Sequence, residues 1–439
     1  MGRKVSSAQK WLYPGLGVKR WLLLLLAGVT LLGLGFAYLL YELYTSDLIS
    51  LPVWRVLTLA FLPHWARTLS IVLLGLGLVV VAVYQFNRSL LAAFVPPGSA
   101  SVVDAVYRHR QRQRGPKVVV LGGGNGLSTL LRGLKTYTDN ITAIVTVADD
   151  GGSSGRLRRE LGVPPPGDFR NCIAALADDE ALTTQLFQYR FLSRSAEADA
   201  GGALDGHSFG NLFITAMTNV TGSFERALIE SGRVLAIRGR ILPSTLEDVT
   251  LCAEVAGETA AERRVAGESA IPEARRPIQR VYLEPGDAPA FPPALRAILD
   301  ADLIIAGPGS LFTSVLPNLL VDDIQRAIRV SNALKVYVCN VATQQGETDG
   351  FSVADHVRAL EQHTEPLLFP NVLANSRVAA EPPGSWNFNQ VELREPLAGG
   401  YHTIAADVVD EQHPWRHDPD KLVREMVAWY EQALLAGSE

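Results

Sequence analysis

The chain has 439 residues, 48% hydrophobic and 19% charged, enough to bury the core of one large domain or two ordinary ones. Its net charge of −5 and pI near 6.0 argue against a nucleic-acid-binding surface. Its three cysteines, Cys172, Cys252 and Cys339, stand too far apart for a zinc site or a disulfide framework, which favours a reducing compartment.

The charge is divided along the chain. Residues 1–116 carry 12 Lys and Arg against 3 Asp and Glu, a net of +9, which leaves −14 for the rest. Within that basic front, Trp21–Tyr41 holds 21 residues and Thr68–Asn87 holds 20, and neither run contains a charge. At 1.5 Å per residue each is long enough to cross a hydrocarbon core of about 30 Å. Two transmembrane helices are therefore expected, at about 21–41 and 68–87, in a membrane hairpin covering residues 1–94. Arg3, Lys4, Lys10, Lys19 and Arg20 precede the first run, and Arg88, Arg108, Arg110, Arg112 and Arg114 follow the second. Only Arg55 and Arg67 lie between, so the positive-inside bias puts both termini in the cytoplasm. Residues 95–116 read as a basic linker.

From residue 117 to 439 the pattern becomes α/β. Val118–Leu121, Ile141–Val147, Leu303–Ala306, Val336–Cys339 and Val372–Ala374 are short Val/Ile-rich runs, and Leu127–Leu134, Pro317–Ile328, Val353–Gln362 and Lys421–Leu435 have helical periodicity. Buried parallel strands with crossover helices give this alternation, predicting a Rossmann-like, mostly parallel sheet with helices on both faces. The segment from Val249 to Ile271 alternates around a polar centre and predicts a hairpin excursion.

The chemistry concentrates after the strands. "GGGNG" (Gly122–Gly126), "ADDGGSSGR" (Ala148–Arg156), "GPGSLFTS" (Gly307–Ser314) and "NVATQQGET" (Asn340–Thr348) each follow an apolar run, so all are expected at the carboxyl edge of the sheet, where open α/β folds bind ligands. Leu127 stands where a dinucleotide fingerprint needs Gly, and no Gly-Lys-Ser/Thr ending completes a P-loop. Free N–H groups in such loops suit an anion, although glycines can also serve only a tight turn. Asp149 and Asp150 suit ribose hydroxyls or a Mg²⁺ beside a diphosphate, or else a locally satisfied turn. Ser153 and Ser154 offer hydroxyls beside them. Asp168 is either a helix N-cap or, with Arg170 and Asn171, a cleft residue. His207 and Asn211 stand at a helix start, where His207 would act as a base only with a nucleophile in hydrogen-bond reach. Ser153, Ser154, Ser310 and Ser314 all lack the G-x-S-x-G setting, so no catalytic triad is assembled, nor any metal-ligand set.

These loops carry a resemblance. "VVVLGGGNGLSTLLRGLK", "ITAIVTVADDGGSSGRLRRELGVPPPGDFRNCIAALAD", "LFQYRF", "GHSFGNL", "GPGSLFTSVLPNLLV" and "CNVATQQGETDGF", in order over Lys117 to Leu435, resemble the gluconeogenesis factor family, distantly related to 2-phospho-L-lactate transferase. The resemblance implies binding of a UDP-sugar, chiefly UDP-N-acetylglucosamine, and a regulatory role linking carbon metabolism to cell-wall synthesis and cell shape. It implies as partners the cell-wall synthesis enzymes and a second copy of the chain, with the α/β domain facing the cytoplasm from the inner membrane. The expected ligand residues are Gly123, Gly124, Asn125, Gly126, Asp149, Asp150, Ser153, Ser154, Asp168, Asn171, Asn211, Gly309, Ser310, Thr313 and Arg416, the last from "WRHDPDKL". Trp386 is a weaker candidate for stacking on uracil, and Phe312 departs from the Tyr usual in the family. The alternative is a Mg-dependent phosphoryl or nucleotidyl-linked transferase.

Overall fold

A computed structural model describes residues 28–38, 41, 63–92, 112–178, 180–192, 204–257, 263–377, 389–394, 397 and 399–436. The chain divides into two compact units, Met1–Gln111 and Arg112–Glu439.

In the first unit, helix His64–Ala92 contains the whole of the second uncharged run, and residues 28–38 of the first run are helical. Leu31, Leu34, Phe36, Leu73, Leu74 and Val80 are exposed. Among the described residues, no helix is long and apolar enough to cross a membrane. Residues 21–27, 39 and 40 of the first run, and residues 95–111 of the basic linker, lie outside the described residues.

In the second unit the Val/Ile runs form a seven-stranded sheet. Its strands are β1 (Val118–Gly122), β2 (Ile141–Val145), β3 (Arg240–Pro243), β7 (Leu303–Ala306), β8 (Leu334–Val338), β9 (Asn371–Asn375) and β10 (His402–Ala406), in the order β10-β9-β8-β7-β1-β2-β3. Every pairing is parallel; Val118 stands opposite both Ile141 and Leu303. The middle strands β1, β2 and β7 are buried at every position, which is why they read as continuous apolar runs rather than alternating ones. The edge strands β3 and β10 were not legible in the sequence. β3 ends in Pro243, and β10 is nowhere fully buried, so neither carries the apolar run of an inner strand.

The polar-centred segment forms a second sheet as expected. β4 (Thr250–Val255) lies between β5 (Arg264–Ala266) and β6 (Ile278–Glu284), all antiparallel. The helix expected at Pro317–Ile328 is broken. A π-helical turn, Leu311–Val315, runs into Leu316–Leu319, and extended backbone at Val321 (φ −79°, ψ 105°) separates these from helix Asp322–Val330. Helix Gly124–Tyr137 buries Leu127, Leu130, Leu131 and Leu134 in the core, each worth roughly 1.5–3 kcal/mol. That burial anchors the glycine loop that begins the helix.

Candidate functional site

The chain leaves β1 toward β2 and β3 on one side, and later fills β7 to β10 on the other. The strand order therefore reverses between β1 and β7, and a crevice opens outside their carboxyl ends. A cavity of about 630 Å³ lies there. Gly123, Gly124, Asn125, Gly126, Asp149, Asp168, Gly309, Ser310, Thr313 and Arg416 all line it.

Two glycine loops face each other across the switch point at backbone contact distance. A Cβ on Gly126 would stand 2.6 Å from the Pro308 carbonyl and 2.8 Å from Gly309 Cα. One on Gly123, whose backbone is extended, would stand 2.3 Å from Asp168 Oδ2. Side chains brace the β7 loop. Asn340 accepts from Gly309 N (3.1 Å) and donates to Gly309 O (2.9 Å), and Gln344 Nε2 donates to Ser310 Oγ at 2.5 Å. Asn318 ties both loops together, donating to Gly122 O and Ser314 O. Asn125, Thr129 and Arg132 present one face of helix Gly124–Tyr137 to the cavity, and Arg132 is paired with Glu180.

The Asp149–Asp150 pair is split. Asp149 lines the cavity and accepts from Gly151 N at 3.0 Å. Asp150 does not line it; its Oδ1 accepts from Ser269 N (2.9 Å) and Oγ (2.8 Å), pinning the small sheet to the β2 loop. Asp150, expected as a ligand residue, thus serves here as a structural pin. Of the two alternatives for Asp168, the cleft position is the one found: Pro166 caps helix Gly167–Leu176, and Asp168 lies in its first turn and lines the cavity.

Ser153, Ser154, Asn171 and Asn211 line a second cavity of about 270 Å³, whose wall shares Asp149 and Asp168 with the first. Ser153 Oγ lies 2.9 Å from His207 Nδ1 and accepts from Asn211 Nδ2 at 3.0 Å. In the tautomer with Nδ1 unprotonated, the hydroxyl donates to the imidazole, whose pKa burial lowers. The hydroxyl that His207 lacked in the sequence is therefore in place.

The cleft is acidic. Burial, then the charge of Asp149, pushes Asp168 up to about 7. Burial, followed by Asp149, Asp168 and Glu347, pushes Glu268 up to about 8, and burial takes Glu347 to about 7. Burial also raises Asp149. Among the described residues, no group of three or more His, Cys, Asp or Glu side chains is arranged to hold a metal ion. Mg²⁺ is commonly held by one or two carboxylates together with a ligand's phosphates, and Asp149 and Asp168 are the cavity acids that would hold it in that way.

Several lining residues carried no signal in the sequence. Glu268 is an isolated acid in the polar centre of the excursion, and only the packing of the small sheet brings it to the cavity. Trp415 and His417 reach it beside Arg416. His417 is held neutral by burial, its pKa lowered to about 4, and its Nε2 lies 3.2 Å from the Cys339 carbonyl, fixing that segment to the end of β8. Trp386 lies outside the described residues. Phe312 does not line the cavity; it packs in the core against Phe351 and His363.

Geometry alone defines the class: a parallel α/β protein with a switch-point cleft built from glycine-rich loops. The family model described as 2-phospho-L-lactate transferase CofD matches residues 118–435. The chain is 47% identical over 437 residues to a protein of Nostoc sp. named "Putative gluconeogenesis factor", covering 97% of this chain and 93% of that one. It is 52% identical over 261 residues to the gluconeogenesis factor of Bacillus subtilis, covering 60% of this chain and 79% of that one. A crystal structure of a UPF0052 family member from Bacillus halodurans shares 44% identity at a TM-score of 0.63, covering 72% of this chain and 99% of that one. The chain belongs to the gluconeogenesis factor family.

Proposed function

We propose that the 630 Å³ cleft binds a nucleotide-sugar of the UDP-N-acetylglucosamine type, and that its occupancy regulates a partner. The observation that carries this reading is the apposition of the Gly123–Gly126 and Pro308–Ser310 loops at the switch point. Their backbone N–H groups, with Arg416, suit a diphosphate. Asp149, Asp168 and Glu268 suit the hydroxyls of ribose and sugar, which donate to carboxyl oxygens. Trp415 offers an indole edge or face to a base.

Regulation requires that the ligand prefer one of two states of the protein. The small sheet is the element to move, since it brings Glu268 to the ligand and is pinned through Asp150 and Ser269. On this reading the output links carbon metabolism to cell-wall synthesis and cell shape, with cell-wall synthesis enzymes and a second copy of the chain as partners. The two uncharged runs and their basic flanks support an anchor in the inner membrane that keeps the α/β unit on the cytoplasmic side. Resistance of the chain to alkaline extraction from membranes tests the anchor; full release discards it.

The test of binding is calorimetric titration of the full chain with UDP-N-acetylglucosamine, followed by chromatography of the mixture after long incubation with and without Mg²⁺. Saturable binding with intact ligand is the expected result. A second reading, a phosphoryl or nucleotidyl-linked transferase, is supported by the match to the 2-phospho-L-lactate transferase model and by the Ser153–His207 pair. Steady product accumulation, dependent on Mg²⁺ or not, would replace the first reading by the second.

A further inference from the structure

The smaller cavity differs in character from the cleft beside it. Arg170 is 7% exposed, and the fold makes room for it: a Cβ on Gly210 would stand 2.6 Å from Arg170 Cγ. Its Nη1 donates to Ser208 Oγ (2.7 Å) and Asn211 Oδ1 (3.2 Å), and its Nε and Nη2 donate to Asn171 Oδ1 (3.3 and 3.0 Å). All of these partners are neutral oxygens. A buried guanidinium is costly unless a charge compensates it, yet among the described residues Arg170 is in no ion pair.

A second guanidinium lines the same cavity. That of Arg190 donates through Nη1 to Gly206 O at 2.9 Å, and Arg190 too is in no ion pair among the described residues. Burial, and after it the like charge of Arg190, lowers the pKa of Arg170, against the opposing charges of Asp168 and Asp149. The N-terminal turn of helix Gly152–Leu161, with Gly152, Ser153 and Ser154, adds N–H donors on the same wall. The acids of this cavity, Asp149 and Asp168, act on Arg170 only at a distance, since among the described residues neither forms an ion pair with Arg170 or Arg190.

We propose that this smaller cavity is a second binding site, for a phosphoryl group, held by Arg170 and Arg190 beside the first-turn N–H groups of helix Gly152–Leu161. The remaining Nη2 hydrogen of Arg170 and the guanidinium fork of Arg190 suit the oxygens of a tetrahedral anion. Asp149 and Asp168 form the wall shared with the large cleft, so a phosphoryl group here sits next to whatever the large cleft holds. The site stands independently of the nucleotide-sugar reading, since none of its donors lines the larger cavity and the two share only the acids Asp149 and Asp168.

The experiment is titration of the full chain with inorganic phosphate, compared in Asn171→Asp, Arg190→Gln and Arg416→Gln. Asn171→Asp keeps the oxygen that accepts from Arg170 and Gln188 and adds the missing charge, so it folds with an unchanged or raised Tm. It is expected to weaken phosphate binding at least about tenfold, as is Arg190→Gln, while Arg416→Gln leaves a phosphate site intact. A parallel titration with glycerol 3-phosphate separates the sources: tighter binding than phosphate assigns a phosphomonoester, equal or weaker binding assigns the free ion. The proposal is overturned if wild type binds no phosphate, or if its phosphate site survives Asn171→Asp and Arg190→Gln and is lost only in Arg416→Gln. Neither result depends on whether UDP-N-acetylglucosamine binds.

Discussion

The carboxylate of Asp150 turns out of the cleft to accept two hydrogen bonds from Ser269, 119 residues further along the chain. Its neighbour Asp149 turns into the cleft. Adjacent residues on an extended segment point to opposite sides, so one acid of the pair serves the fold and the other the cavity. Asp150→Ala is expected to lower unfolding free energy by about 2–3 kcal/mol, the cost of removing a charged acceptor from partly buried donors. Asp149→Asn, which keeps an acceptor for Gly151 N, is expected to cost less than about 1 kcal/mol. Denaturant titration of both variants checks the contrast; equal losses would refute the division of labour.

The facing glycine loops make a steric prediction. In Gly126→Ala the new methyl meets the backbone of Pro308 and Gly309, which cannot rotate away as a side chain can. Overpacking of this kind costs about 1–3 kcal/mol and prises the two loops apart. Binding of UDP-N-acetylglucosamine should weaken by more than the stability change alone accounts for, measured by calorimetry at a temperature where the variant is folded. Undiminished affinity would place the ligand elsewhere.

The buried acids predict a pH dependence. Asp168 at about 7, Glu268 at about 8 and Glu347 at about 7 all titrate above the ordinary carboxyl range, because burial disfavours their charged forms. In the unfolded chain they lose their protons near pH 4, so between about pH 4 and pH 8 the folded state binds more protons than the unfolded one. Stability of the unliganded chain should therefore fall as pH rises through that window and level off above it. Thermal unfolding from pH 5 to 9 measures the slope. Glu268→Gln, which cannot ionise, should flatten the alkaline part of it.

All three cysteines are buried, and burial raises the pKa of each thiol, that of Cys339 to about 12. Because the thiolate is the reactive form, iodoacetamide at neutral pH should label none of them in the native chain. Labelling should begin only with global unfolding, as mass spectrometry across a denaturant series will report.

The sequence was most legible where a local rule is strong. Val118–Gly122 and Leu303–Ala306 are too short and too uniformly β-branched or apolar to be anything but inner strands, and the glycine loops after them could only lie at the carboxyl edge. The site was half legible for the same reason. Gly123–Gly126, Asp149 and Gly309–Thr313 belong to loops that directly follow strands, and Arg416 was reached only through family resemblance. Glu268, Trp415 and Arg190 could not be found in this way, since each lies far along the chain from any strand that forms the crevice.

What the sequence determined by itself is the parallel α/β architecture and the edge of the sheet at which its chemistry gathers, because strand period and glycine chemistry act over a few residues. Only the tertiary structure decided the strand order, and hence that the β1 and β7 loops meet. It also decided which acid of Asp149 and Asp150 faces the cleft, and that Ser153 lies against His207 and Arg170 near Arg190. Those relationships join residues tens to hundreds of positions apart. They are fixed by burial of a shared core, a free energy summed over the whole domain that no short stretch of chain contains.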